Sequence, residues 1–223
     1  MKLSIIIPVY NEEKTILKLI NNIKSINFPI NYELIIVNDG STDSTSEKLR
    51  KLNINLIEYK ENKGKGFAVR KGLRSCKGDI IAIQDADLEY NPKQIPNLVK
   101  PILNKETEVV YGSRFLKKEN QNWKIPTHYL GNRLLTSLSN LLYKCNLTDM
   151  ETCYKIFTKK VKNSLNLTLN DFGLEIELTS QICKNGFKIK EIPINYYPRS
   201  WEEGKKINWK DGIKAIYYLI KCR

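Results

Sequence analysis

The sequence predicts an α/β fold with a mostly parallel central sheet flanked by helices. Four short runs rich in Ile and Val are almost entirely apolar, which is typical of strands buried on both faces. The runs cover residues 3–9, 34–37, 80–83 and 109–111. After the first run, apolar residues recur every three or four positions from Ile16 to Ile26, which is the spacing of one face of an amphipathic helix. Strands that alternate with helices favour parallel pairing in a layered domain.

Each of these predicted strands leads into a short polar segment. The segments are Tyr10–Glu13, Asn38–Asp43, Asp85–Glu89 and Gly112–Arg114. Ligands of parallel α/β sheets bind beyond the carboxyl ends of the strands. We therefore expect the four segments to meet at one edge of the sheet and to form one site.

Three carboxylates at alternating positions, Asp85, Asp87 and Glu89, follow the third apolar run. In an extended chain, residues two apart point the same way. Three converging carboxylates would raise one another's pKa unless a cation lay between them. Mg2+ or Mn2+ prefers such oxygen ligands and fills its other positions with water and substrate phosphates. The pattern predicts phosphate chemistry, with a solvated acidic turn as the alternative.

Length and cysteine content indicate one reduced, intracellular domain. The 223 residues are enough for a substantial core, and no linker or repeat divides them. The five cysteines are an odd number without metal-site spacing, and no signal peptide is recognised, so we expect reduced thiols in the cytoplasm. No apolar stretch approaches the roughly 20 residues that span a bilayer. The expected location is cytoplasmic, either soluble or peripheral on the cytoplasmic membrane face.

The net charge of +13 suggests an anionic partner, which could be nucleic acid, a membrane surface or a substrate. A lysine-rich surface that is merely solvated is the open alternative. Basic clusters occur at Lys117–Lys118, at Lys205–Lys206, and in a series toward the C-terminus: Lys210, Lys214, Lys221 and Arg223. No nucleic-acid-binding module is recognisable, so we expect no nucleic acid partner.

Several motifs occur in an order that resembles family 2 glycosyltransferases of the GT-A fold. They are Pro8–Glu13, Val37–Asp43, Asn62–Gly66, Asp85–Asp87, Gly112–Arg114, Leu130–Arg133, Asp149–Lys155 and Phe172–Glu177. The chain looks most like the branch that transfers sugars to polyprenyl phosphates, such as dolichyl-phosphate mannosyl- and glucosyltransferases. The resemblance implies a single GT-A domain over 1–223. Residues 1–114 would form the nucleotide-sugar-binding half and residues 115–223 the acceptor-binding half.

The resemblance also implies how the donor is bound. Pro8, Tyr10 and Glu12 match residues that line the nucleotide site, and Asp39 matches the acid that contacts the base. Lys65 matches a loop near the donor, where lysines offset phosphate charge. For Asp39, a purely structural role in a turn is the alternative.

The remaining residues implied by the resemblance concern metal, phosphate and catalysis. Asp85 and Asp87 match the metal motif for Mg2+ or Mn2+, and Glu89 would supply a further ligand or water contact. Basic positions that meet the pyrophosphate or the acceptor phosphate are Arg114, Arg133 and Arg199. Asp87, Arg199 and the downstream acid Glu175 are the expected catalytic residues.

The acceptor decides whether a general base is needed. A hydroxyl acceptor must lose a proton as it attacks, whereas a phosphate acceptor is already anionic near neutral pH. The candidate bases are Asp149, Glu151, Glu175 and Glu177. The resemblance favours inverting transfer of a hexose from a UDP- or GDP-sugar to a polyprenyl phosphate. A glycan hydroxyl acceptor, or a basic nucleotide-sugar or membrane-binding protein without turnover, remains open.

Two C-terminal features bear on the acceptor. The segment 196–206 mixes aromatic, basic and glycine residues like a mobile acceptor loop. Beyond it, Ile213, Ile216, Tyr217 and Ile220 fall on one face of a predicted helix. This face could lie on a membrane surface or pack on the protein core, and the sequence leaves both open.

Overall fold

The computed structural model describes residues 1–117, 126–199 and 209–223, with backbone alone at 126–128 and 209–211. The strands are β1 (Lys2–Val9), β2 (Asn31–Asp39), β3 (Asn55–Tyr59), β4 (Ile80–Ile83), β5 (Val109–Ser113), β6 (Lys155–Thr158) and β7 (Ile189–Pro193). The helices are α1 (Ile16–Lys24), α2 (Thr45–Arg50), α3 (Lys65–Ser75), α4 (Ile95–Leu103), α5 (Pro126–Tyr143), α6 (Lys159–Asn163), α7 (Leu174–Lys184) and α8 (Trp209–Lys221). Lys118, Lys205, Lys206 and the end of the predicted acceptor loop lie outside the described residues.

The strands form one seven-stranded sheet in the order β3-β2-β1-β4-β6-β5-β7. β1 pairs in parallel with β2 and β4, β2 with β3, and β5 with β7. Among the strands of the described residues, β6 alone is antiparallel, to both β4 and β5. The prediction of a mostly parallel α/β sheet is therefore confirmed. Because β6 runs the opposite way, its beginning lies at the edge where the parallel strands end.

The four apolar runs lie in β1, β2, β4 and β5, where most of their residues are buried. All four residues of β4 and all five of β5 are buried. On α1, the predicted stripe is buried at Ile16, Leu19, Ile20 and Ile23, and the helix ends at Lys24, before Ile26. The sequence pattern and the structure agree because a strand covered on both faces is apolar at every position. A helix that covers the sheet is apolar on one face only.

The inner strand β6, which has four residues and begins with Lys155, was not among the predicted strands, and neither were the two outermost strands, β3 and β7. β3 has no fully buried residue, and neither does β7. Strands at the edges of a sheet have neighbours on one side only, so their sequences lack the continuous apolar run of a central strand. β7 also ends in Pro193, a residue confined to sheet edges and strand ends.

α5 and α8 pack against each other, and each leaves apolar side chains on the surface. On α8, Ile213, Ile216, Tyr217 and Ile220 are 42–66% exposed. The alternative that this face packs on the core is therefore wrong, because α8 buries Leu219 instead. Within the described ranges, no helix is long and apolar enough to span a bilayer. The five cysteines, all in described positions, are free thiols.

Candidate active site

A cavity of about 680 Å3 opens at the carboxyl edge of the parallel strands, within the usual size of a ligand pocket. Residues of the polar segments that follow β1, β2, β4 and β5 line this cavity, so the expectation that the four segments meet at one site is confirmed. The residues predicted from the sequence that line it are Pro8, Tyr10, Glu12, Asp39, Lys65, Asp85, Asp87, Glu89, Arg114, Glu175 and Arg199.

Arg133 is the predicted site residue that is not among the cavity-lining residues. It is exposed on α5, and its guanidinium lies 5.7 Å from the centre of the Phe115 ring. The helical period turns this position outward, while Gly131, Asn132 and Leu135 of the same helix line the cavity. A phosphate contact by Arg133 remains a prediction without support from this geometry.

Asp39, at the end of β2, holds the loop that follows β3. Its carboxylate accepts hydrogen bonds from the backbone N–H groups of Lys63 and Gly64, both at 2.8 Å, and from the Asn62 amide at 3.0 Å. Gly64 has a φ of +94°, and a Cβ there would lie 2.4 Å from the Asn170 carbonyl oxygen. Asp39 thus has the structural role that the sequence left open, and contact with the nucleotide base remains a prediction.

Lys65 begins α3 and joins two acids across the cavity floor. Its Nζ lies 2.8 Å from Asp85 Oδ1 and 2.8 Å from Glu175 Oε1. Burial alone would lower the pKa of Lys65, but the charges of Asp85 and Glu175 outweigh it and raise that pKa. The lysine is therefore a fixed cation, and it occupies one oxygen of the acid that was expected to act as a base.

The segment from Asp85 to Glu89 is a turn rather than the continuation of β4. β4 ends at Ile83, Ala86 and Asp87 form the turn, and Leu88 has a φ of +65°. The expectation that the three carboxylates alternate on an extended chain is wrong, because the backbone reverses where they occur. They line the same cavity nonetheless. Burial, together with the charges of Asp85 and Glu89, raises the pKa of Asp87 to about 7.

Arg199 connects the segment after β7 to the loop after β1. Its two terminal nitrogens lie 3.0 and 3.1 Å from the two carboxylate oxygens of Glu12, a bidentate pair. The same guanidinium is 3.4 Å from Asp87 Oδ2. The backbone N–H of Arg199 donates a hydrogen bond to Glu89 Oε1 at 2.8 Å. The carboxylates are therefore partly neutralised by an arginine 110 residues away from Glu89.

A divalent cation fits the chemistry of this cavity wall. Asp85, Asp87 and Glu89 offer only oxygen ligands, the type that Mg2+ and Mn2+ prefer. The raised pKa of Asp87 reflects its burial and the negative charges of Asp85 and Glu89, which Arg199 offsets only in part. Among the described residues, no three acidic, histidine or cysteine side chains are close enough together to hold an ion as they stand. Metal binding would require Asp87 to exchange its contact with Arg199.

Arg114, just after β5, forms a buried ion pair with Asp149. Nε and Nη2 of the arginine lie 2.7 Å from Oδ2 and Oδ1 of the aspartate, and the Arg114 backbone N–H donates to Oδ2 at 2.9 Å. The guanidinium also stacks 5.2 Å from the Tyr196 ring centre. Burial would lower the pKa of Arg114, but the charge of Asp149 outweighs it and raises that pKa. The pair anchors the segment ahead of β6 to the end of β5.

Sequence reasoning gave no separate role to two buried groups beside this pair. Lys155 is 1% exposed, and its amino group donates to the carbonyl oxygens of Met150 and Thr152 at 2.7 and 2.5 Å. Glu151 lines the cavity and was considered only as one of four candidate bases. The available signal was the motif Asp149–Lys155, which contains both residues and ends at the first residue of β6.

Comparisons with known proteins agree on one family for this chain. The family model described as glycosyl transferase family 2 matches residues 4–165. A dolichol-phosphate mannosyltransferase of Pyrococcus furiosus is 29% identical over 99% of this chain and 64% of its own length, so the chain spans under two thirds of that relative. A UDP-N-acetylglucosamine–dolichyl-phosphate N-acetylglucosaminyltransferase of Methanococcus voltae is 30% identical over 98% of this chain and 95% of its own.

A solved structure shares the fold. Glucosyl-3-phosphoglycerate synthase of Mycobacterium tuberculosis, in complex with Mn2+, UDP and phosphoglyceric acid, superposes with a TM-score of 0.77. The two sequences are 22% identical, and the match covers 99% of this chain and 78% of the other. The architecture is thus the GT-A fold. With the family model covering most of the chain, the protein belongs to glycosyl transferase family 2 and is a glycosyltransferase.

Proposed function

We propose that this glycosyltransferase moves a hexose, with inversion, from a UDP- or GDP-sugar to a polyprenyl phosphate at a membrane surface. The main support for this proposal is the order in which the predicted binding residues occur along the edge of the sheet. Asp39 ends β2, Tyr10 follows β1, the carboxylates follow β4, and Arg114 follows β5. With the strands in the order β2-β1-β4-β6-β5, these groups would meet base, diphosphate, sugar and acceptor in sequence.

The donor end of the cavity would be formed by residues of the first half of the chain. Pro8 and Tyr10 would lie against the nucleotide, and Asp39 would hold the loop 62–64 around it. Lys65 offers a permanent positive charge near the diphosphate. A divalent cation held by Asp85, Asp87 and Glu89 would neutralise charge on the departing diphosphate. A relative named for a UDP-sugar donor and a structural neighbour in complex with Mn2+ and UDP support this assignment.

The acceptor end favours a phosphate over a hydroxyl. Arg199 carries a planar guanidinium suited to phosphate; its side chain is 16% exposed, and it would exchange part of its pairing with Glu12 for the acceptor phosphate. Glu175, the expected base, already holds Lys65 through one oxygen at 2.8 Å. A phosphate acceptor requires no base, since it is anionic near neutral pH. Two relatives with dolichol- or dolichyl-phosphate in their names point the same way.

The membrane side of the proposal rests on an apolar surface formed by α5 and α8, which we call the α5/α8 face. On α5 its exposed residues are Leu130, Leu134 and Leu141, and on α8 they are Ile213, Ile216, Tyr217 and Ile220. Lys214 and Lys221 are exposed beside them, which suits anionic headgroups. Gly131, Leu135 and Ala215 of the same helices line the cavity. The occupant we propose is therefore an anionic bilayer next to the cavity mouth.

Replacing Ile213 and Ile220 together by aspartate is expected to weaken binding to phosphatidylglycerol vesicles at least about tenfold. The change removes two apolar contacts and adds two like charges to an anionic surface. Co-sedimentation with vesicles measures the effect. Leu17→Asp, an exposed site on α1, is the matched control. Unchanged vesicle binding by the double variant would remove the α5/α8 face from membrane contact, and conversion of a dimer to monomers would identify it as a self-association surface.

Arg199→Ala is expected to weaken use of the acceptor more than binding of the donor. Loss of charge-assisted contacts to a phosphate corresponds to about 10- to 100-fold in the KM for polyprenyl phosphate. Release of nucleoside diphosphate, measured with and without the lipid over a panel of UDP- and GDP-sugars, reads out both properties. Arg74→Ala, an exposed position on α3, controls for loss of a positive charge. An unchanged KM for the lipid would exclude Arg199 from the acceptor site.

A further inference from the structure

The segment leading into β6 lies between the two ends of the cavity. β6 runs antiparallel to β4 and β5 and sits between them. Its beginning is therefore at the same edge as the carboxylates after β4 and Arg114 after β5. Glu151, four residues before β6, lines the cavity at this position. Under the proposed function, the group being transferred must lie here, between the diphosphate and the acceptor.

Two acids at this position have an oxygen without a hydrogen-bond partner. They are Glu151, through Oε1, and Glu175, through Oε2, and both atoms are buried. Glu175 is only 6% exposed and also lines the cavity. Buried polar atoms normally have partners, and leaving one without a partner is unfavourable. A pair of unsatisfied acceptors in a cavity wall indicates a ligand that donates hydrogen bonds.

Neighbouring lysines do not satisfy these oxygens. Lys65 contacts the other oxygen of Glu175 at 2.8 Å. The Lys155 amino group donates to the carbonyl oxygens of Met150 and Thr152. Burial and the charge of Glu175 raise the pKa of Glu151 to about 7. Glu151 can therefore accept or donate a hydrogen bond near neutral pH, which matches the double capacity of a hydroxyl group.

We propose that Glu151 and Glu175 bind hydroxyl groups of the sugar in the donor, and that this sugar is an uncharged hexose. The inference rests on the proposed function of the cavity as a nucleotide-sugar site. A hexuronate would bring its carboxylate into a buried region where Lys65 offsets only part of the charge of Glu151, Glu175 and Asp85, and like charges in such surroundings repel. An uncharged hexose offers several hydroxyl groups and no charge.

The test is to compare binding of the nucleotide with binding of the nucleotide sugar. Calorimetric titrations with Mn2+ would use UDP, UDP-glucose and UDP-glucuronic acid, with GDP and GDP-mannose in parallel. Glu151→Leu should weaken binding of the uncharged-sugar donor by about 10- to 100-fold and leave binding of the free nucleoside diphosphate unchanged. Glu151→Gln, which keeps the shape and one acceptor, should lose less. Glu47→Gln, at an exposed position on α2, is the control.

The outcomes separate this inference from the function on which it rests. Equal loss for the nucleoside diphosphate and its sugar conjugate would mean that Glu151 only supports the fold. A wild-type protein that binds the glucuronic acid donor as tightly as the glucose donor would overturn the uncharged-sugar inference and leave the donor site standing. Wild-type protein that binds no nucleoside diphosphate would overturn the donor site itself, and the inference with it.

Discussion

Replacing Asp87 by asparagine is expected to lower sugar transfer by at least about 100-fold, the scale of losing one electrostatic group in an active site. The Asp87 carboxylate lies between Asp85 and Glu89, where it would help hold the cation that neutralises the diphosphate. The fold should survive, because asparagine can still accept the 3.1 Å hydrogen bond from the Glu89 N–H. Transfer rates and Mn2+ affinity, measured on the same preparation, check the prediction.

A matched control for this prediction is Asp79→Asn. Asp79 precedes β4 at the opposite end of the strand and accepts a hydrogen bond from the Lys2 backbone N–H. Its replacement should leave transfer and Mn2+ affinity unchanged. If Asp87→Asn transferred sugar at the wild-type rate, or if the wild-type enzyme worked fully in the presence of a chelator, the metal assignment would be wrong.

Replacing Asp149 by alanine is expected to lower the free energy of unfolding by about 3–5 kcal/mol, because it leaves the Arg114 guanidinium buried without its partner. Asp149 is fully buried and holds Arg114 through two side-chain hydrogen bonds of 2.7 Å. It also accepts from the Arg114 backbone N–H, so the end of β5 would lose a tether as well. Urea unfolding followed by circular dichroism measures the loss.

Two further variants test whether the loss of stability comes from the buried ion pair. The double variant Arg114→Leu with Asp149→Leu should lose less than the single variant, since no charge is then left without a partner. Glu58→Ala breaks the exposed pair between Arg50 and Glu58 and should hardly change the unfolding free energy, because solvent screens such pairs. A single variant as stable as this control would show that the buried pair does not hold the segment ahead of β6.

The strands β1, β2, β4 and β5 were predictable because burial decides their sequence, whereas the buried inner strand β6 begins with Lys155 and was not predicted. A strand such as β4, covered on both faces, must be apolar at every position, and its sequence is. β3 and β7 lie at the sheet edges, where no such requirement operates, and their sequences carry no comparable pattern. The same reasoning identified one apolar face on α8. The helical spacing did not predict whether that face is buried against the core or exposed to solvent, because this depends on tertiary packing.

The sequence predicted most residues of the site but not the contacts that they make with one another. Local patterns and the family resemblance identified Asp85, Asp87 and Arg199, and all three line the cavity. The pairing of Arg199 with Glu12, 187 residues apart, depends on how β7 returns to the sheet edge. The reversal after β4 rests on the positive φ of Leu88, a conformation that the residue type does not favour. Neither feature has a local signal in the sequence.

One assay distinguishes a polyprenyl phosphate acceptor from a hydroxyl acceptor. Purified enzyme would be given Mn2+ and donors carrying a radiolabelled sugar, together with either a short-chain polyprenyl phosphate or the matching polyprenol. Label extracted into an organic phase reports transfer to lipid. We expect labelled lipid with one donor and polyprenyl phosphate, and none with polyprenol. Equal labelling of polyprenol, or donor breakdown that ignores both lipids, would contradict a phosphate acceptor.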